Sequence, residues 1–175
     1  MHSTICTIGF AGKTAEEFFR LLDDAGVKKV IDIREKRVGQ LSGFAKFPDI
    51  AFFLDRLSGI TYAYEPALAP SPEIRSAYRQ SEDWSRYESS FLQLMRDRSV
   101  PQKLQAADFE GTVALLCSEP GPEKCHRRLV AEILAEHWRG QGYIVEIRHL
   151  FLEKRTPRTP KKKKSRGNDD GVDHH

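Results

Sequence analysis

Five short apolar runs alternate along this chain with stretches in which apolar residues recur every three or four positions. Thr4-Ile5-Cys6-Thr7-Ile8 reads as a first strand, closed by the turn Gly9-Phe10-Ala11-Gly12. Thr14 is a good N-cap with Glu17 three residues on, the pattern of a capping box. Phe18, Leu21, Leu22 and Ala25 then form a helical stripe that Gly26 stops. Lys29 to Ile33 is a second buried strand, so strand, helix and strand follow one another as a βαβ unit. Asp49 to Leu57 predicts a short helix, and Ile60 to Tyr64 alternates as a third strand. Helical spacing returns at Glu73–Gln80 and at Asp83–Leu104, where Phe91, Leu94 and Met95 share a side. Thr112–Leu116 and Tyr143–Ile147 are the last strands, with a helix from Cys125 between them. This alternation predicts an α/β fold: a single three-layer domain whose mostly parallel sheet of about five strands is flanked by helices.

The pattern ends near residue 152. From Lys154 onward there are eight basic and three acidic side chains, a net charge of +5. The 20 basic and 22 acidic side chains before them leave −2, so the overall +3 comes from this appendage. Residues 1–152 therefore form the expected α/β domain, and 153–175 a disordered basic tail without apolar period. A basic-groove body is excluded by composition, while the tail offers nucleic acid an electrostatic arm or serves as a solubilising tail. No run approaches a bilayer span, so no membrane partner is expected. No secretory signal is recognisable at the start. Three cysteines are too few for a disulfide scaffold and point to a reducing, cytoplasmic setting.

Candidate chemistry gathers at the fourth strand and the helix after it. Cys117-Ser118-Glu119 closes an apolar run, and Cys125-His126-Arg127-Arg128 opens an amphipathic one. Sites in α/β proteins collect where strands end and helices begin. Free N–H groups at a helix start favour an anion and lower the pKa of a cysteine there. Cys125 and His126 head apolar stripes and lean toward the sheet, and Arg127 heads a stripe of alanines. Arg128 shares its face with Glu132 and Glu136 and is expected to pair at the surface. Glu119, just past a strand, suits proton transfer. Asp32 and Arg34 share one side of the second strand, opposite Ile31 and Ile33. If the second strand neighbours the first, Gly9, Asp32, Arg34 and Glu119 open on one crevice with the Cys125 helix.

The catalytic candidates are thus Glu119, Cys125, Asp32 and Cys117, and the anion-binding candidates are Arg127, Arg34, His126 and Gly9. Each also has a plain structural reading, as a packed thiol, a backbone-bonded imidazole or a local ion pair. Cys117, Cys125 and His126 are of types zinc accepts, but the spacing matches no zinc-finger pattern, so no metal is expected. No glycine-rich nucleotide loop is present, no phosphatase-type arginine spacing follows Cys125, and the sequence requires no cofactor.

At these residues the chain resembles the family called domain of unknown function 488. The likeness covers most of residues 4–150 and rests on Thr7-Ile8-Gly9, Ile31-Asp32-Ile33-Arg34, and Leu116-Cys117-Ser118-Glu119 followed by Cys125-His126-Arg127. Members typically carry a His-Ser or Tyr-like continuation after the first glycine. Phe10-Ala11 stands here instead, so no polar role passes to either position. The resemblance implies an α/β domain with the Cys-Glu and Cys-His-Arg segments at its site, and it supplies no substrate.

The leading expectation is an enzyme acting on a small phosphorylated or otherwise anionic ligand, nucleic acid among the candidates. The alternatives are a non-catalytic binding module for a nucleotide or nucleic acid, and a thiol redox switch formed by Cys117 and Cys125.

Overall fold

The computed structural model describes residues 2–38 and 42–152, and the expected basic tail lies outside them. Five strands form one all-parallel sheet: β1 (His2–Gly9), β2 (Lys29–Asp32), β3 (Thr61–Tyr64), β4 (Gly111–Cys117) and β5 (Ile144–Leu150). Their order across the sheet is β3-β2-β4-β1-β5. β4 therefore separates β1 from β2, so the condition that the second strand neighbours the first is not met. The reason is burial. Val113, Ala114, Leu115 and Leu116 are all at most 1% exposed, and a strand apolar on both sides belongs at the centre of a covered sheet.

Helices cover both faces. On one side lie α1 (Ala15–Asp24) and α2 (Asp49–Ser58), over a core of Cys6, Ile8, Val30, Ala114 and Leu116. On the other lie α4 (Trp84–Asp97) and α5 (His126–Gly140), over Ile5, Ile31, Ile33, Val113 and Leu115. Alternate residues of each strand thus feed alternate layers, as the period of two requires. α3 (Pro72–Ser81) packs its half-buried Ile74 and Tyr78 against the second core. Trp138 of α5 is sealed in that core against Phe109. No helix among the described residues is long and apolar enough to cross a membrane.

Local signals set most boundaries. The Thr14 hydroxyl accepts from the Glu17 N–H and the Glu17 carboxylate from the Thr14 N–H, a complete capping box. α2 stops at Gly59, in the left-handed region at φ 62°. The helix expected to run to Leu104 ends at Asp97. Ser99 takes a left-handed φ of 58°, and Pro101, lacking an N–H, cannot extend the helix.

Candidate functional site

β4 ends at Cys117, and the loop 118–124 returns the chain to Cys125, the N-cap of α5. Helical geometry begins at His126, one residue later than the sequence suggests. Cys125 makes no side-chain capping bond to the helix. Its thiol faces Cys117 instead, with Sγ to Sγ at 2.8 Å, and both cysteines are free. Cys117 points to the α5 face of the sheet, the side to which Val113 and Leu115 belong.

Arg127 joins the two cysteines. It is fully buried, on the same stripe as Ala131 and Ala135, which are also fully buried. Those small side chains let α5 approach the sheet and carry the guanidinium beneath the loop. Its Nη1 donates to the Glu119 carbonyl at 2.6 Å and to Cys117 Sγ at 2.9 Å, and reaches Cys125 Sγ at 3.5 Å. Nη2 donates to the Pro120 carbonyl at 3.4 Å. Gly9, the register partner of Cys117, forms the base of this arrangement. A Cβ built on Gly9 falls 1.6 Å from the Glu119 carbonyl oxygen and 2.7 Å from Arg127 Nη1. Gly9 is thus a close-approach glycine, demanded by packing against the loop.

Electrostatics splits the two thiols. Burial opposes ionisation of Cys117, but a hydrogen bond from Cys125, the Arg127 guanidinium and the Glu119 N–H outweigh it and bring its pKa down to about 7. Burial pushes Cys125 well up, and donation to Cys117 raises it further. Of the two, Cys117 is the thiol that ionises first, and its thiolate accepts from the Cys125 thiol. Desolvation lowers the His126 pKa to about 4, so this imidazole is neutral at pH 7. Its Nε2 donates to the Ile33 carbonyl at 3.0 Å, because a carbonyl only accepts. That fixes the tautomer with the Nδ1 lone pair free of a proton. The ring also packs on Phe91.

A cavity of about 670 Å³ opens over these groups. Cys117, Ser118, Cys125 and His126 line its floor. Tyr78, Trp84 and Tyr87 form an aromatic wall, in which Trp84 stacks on Tyr87 at 5.0 Å between ring centres. The polar rim holds Arg34, Lys36, Arg75, Arg79 and Lys124 against the acids Glu35 and Glu119. Arg75 is paired with Glu35 and Arg34 with Asp32. Arg79 and Lys124 make no ion pair with any described residue. The rim therefore carries a net positive charge turned toward the cavity.

Of the eight residues singled out in the sequence, Arg34, Cys117, Glu119, Cys125 and His126 line this cavity. Asp32, Gly9 and Arg127 do not. Asp32 lies on the opposite face of the sheet, where its carboxylate accepts from Arg34 N, Nε and Nη2 and from the Tyr62 hydroxyl. Arg34 Nη1 is committed to the Ala45 carbonyl. Arg128 pairs with Glu132 and Glu88 on the surface, as its stripe predicts. Sequence reading missed Arg75, Arg79 and Lys124. Arg75 and Arg79 sit four apart on α3, and that spacing on one helix face was the available signal.

Cys117, Cys125 and His126 also present three ligand atoms within 4.8 Å of one another. The types suit zinc, but Arg127 lies 2.9 Å from Cys117 Sγ. A fixed cation on the thiolate supplies the charge that a dication would bring and repels it. The arrangement fits a lone thiolate better than a metal.

No curated protein and no solved structure matches the chain. The family model described as "Domain of unknown function DUF488" matches residues 14–134, a stretch that carries β2, the Cys117 strand end, the loop and the Cys-His-Arg start of α5. With that match over more than half its length, the chain belongs to the family of domain of unknown function DUF488.

Proposed function

We propose that this protein is an enzyme in which the Cys117 thiolate attacks a small anionic ligand held in the cavity. The contact between Arg127 and Cys117 at 2.9 Å, at the floor of a cationic cavity, carries the reading. A thiolate is the nucleophilic form of cysteine, and a pKa near working pH combines population with reactivity. Arg127 holds the charge on sulfur from behind. Arg79, Lys124 and the start of α5 draw the ligand in, a role expected earlier of Arg34 and Arg127. Glu119 at the rim is the general acid or base for the ligand, and His126 orients the floor. A phosphorylated ligand and other anions satisfy the same rim. A reducing cytoplasm keeps the two cysteines as thiols.

Iodoacetamide alkylation of the full-length chain, mapped by peptide mass, tests the reading. Cys117 reacts first, with a pH midpoint near 7, while Cys6, whose thiol burial pushes up to about 11, stays silent. Inorganic phosphate slows the reaction. A Cys117 no faster than an ordinary thiol, and indifferent to phosphate, overturns the proposal.

A further inference from the structure

Resting on that reading, we infer that the reaction is thiol–disulfide exchange with a small anionic disulfide, with Cys125 as the resolving thiol. Two independent observations lead there. The first is the direct contact between the two sulfurs at the cavity floor, spanned by a loop of only seven residues, 118–124. A simple nucleophile needs no second thiol against it. The second is where Arg127 lies. Nη1 and Nη2 turn to Cys117, Glu119 and Pro120, and Arg127 does not line the cavity. It presents no guanidinium fork to the oxygens of a phosphoryl group undergoing transfer at sulfur. A sulfur electrophile needs no such cradle. Arg79 and Lys124 at the rim, without an ion pair among the described residues, then select disulfides that carry carboxylates.

The steps balance. Cys117 thiolate attacks one sulfur of RSSR, forming a Cys117–SR bond as the S–S bond breaks and RS⁻ leaves with the electron pair. Cys125 then loses its proton to solvent, directly or through the leaving thiolate, and attacks Cys117 Sγ. The Cys117–SR bond breaks and a second RS⁻ departs. The dithiol loses two electrons, the disulfide gains them, and the products are Cys117–Cys125 disulfide and two RSH. The small disulfide is the oxidant.

The reduced full-length chain is mixed with oxidised glutathione, neutral hydroxyethyl disulfide or cationic cystamine, and followed by intact mass. The wild type loses two hydrogens, retains no glutathione, and yields a linked Cys117–Cys125 peptide. Cys125→Ser retains one glutathionyl group on Cys117, and Cys117→Ser retains none. Oxidised glutathione reacts about tenfold faster than the neutral disulfide, and the double variant Arg79→Ala/Lys124→Ala removes that advantage. A wild type that keeps glutathione on Cys117 without the internal link overturns the resolving role of Cys125. Rapid alkylation of Cys117 with no reaction toward any disulfide overturns the inference and leaves the proposed nucleophile standing. Equal rates with anionic and neutral disulfides overturn the anionic ligand class. Because the wild type alone yields the linked peptide, the result does not depend on the variants folding.

Discussion

At the scale of single residues, the site depends on one buried cation and one missing side chain. Arg127→Lys keeps the charge but cannot reach two carbonyls and a sulfur together. The groups facing Cys117 are then Cys125, Lys13 from the β1–α1 loop and the Glu119 N–H. The alkylation midpoint of Cys117 should move upward from about 7 toward the ordinary thiol value. Stability should fall by about 2–4 kcal/mol in urea titration, because buried carbonyls lose their donor. Gly9→Ala drives a methyl into the Glu119 carbonyl, which is backbone and cannot swing aside. A loss of about 3 kcal/mol or more is expected, with the loop displaced and Cys117 no longer selectively alkylated. His126 brings a pH dependence. Burial disfavours its charge, with Arg127 and Arg75 adding to that, while the bond to the Ile33 carbonyl and, more weakly, Asp32 oppose them. Its folded pKa of about 4 lies below the ordinary 6.5, so the unfolded chain binds the extra proton between those values. Stability from this group is whole above pH 6.5 and drains as pH falls toward 4, by on the order of 3 kcal/mol. Chemical denaturation across that range should show the slope, and His126→Gln should flatten it.

At the scale of elements, periodicity made the helices and strands legible, and caps placed their ends. The Thr14 box was readable because both partners lie within four residues. Thr14→Ala should cost about 1 kcal/mol in a thermal or urea midpoint, with no change in Cys117 reactivity. The end of α4 was less legible, since apolar spacing continues past Asp97 while Ser99 and Pro101 turn the backbone. The strand order was left open because alternation along the chain sets the layers and not the sequence of strands across the sheet. The run Val113–Leu116, apolar on both sides, was the clue to a central strand. Placing β4 between β1 and β2 puts Cys117 beside Gly9 and turns Asp32 toward the other layer. The two motifs around Cys117 and Cys125 could be located from sequence. The direction of Arg127 could not, because it depends on how closely Ala131 and Ala135 let α5 approach the sheet.

At the scale of the whole molecule, charge is arranged by side rather than by total. The ion pairs of Arg34 and Arg75 neutralise part of the rim, and Arg79 and Lys124, which pair with no described residue, line the cavity. Attraction of this kind weakens as ionic strength shortens the Debye length to about 3 Å near 1 M salt. The advantage of oxidised glutathione over a neutral disulfide should therefore shrink with added salt, while the neutral rate stays flat. A salt-independent ratio would place selectivity in contacts at the thiols instead of in the rim.

The chain's two tryptophans sit in different surroundings: Trp138 is enclosed between α5 and Phe109, and Trp84 borders the cavity beside Tyr87. Their emission divides accordingly. Occupancy of the cavity should quench or shift the fluorescence of Trp84 alone, and Trp138 should change only when the chain melts. Trp84→Phe would leave a native protein whose light no longer registers an arriving solute, so one cuvette separates filling of the hollow from loss of the fold.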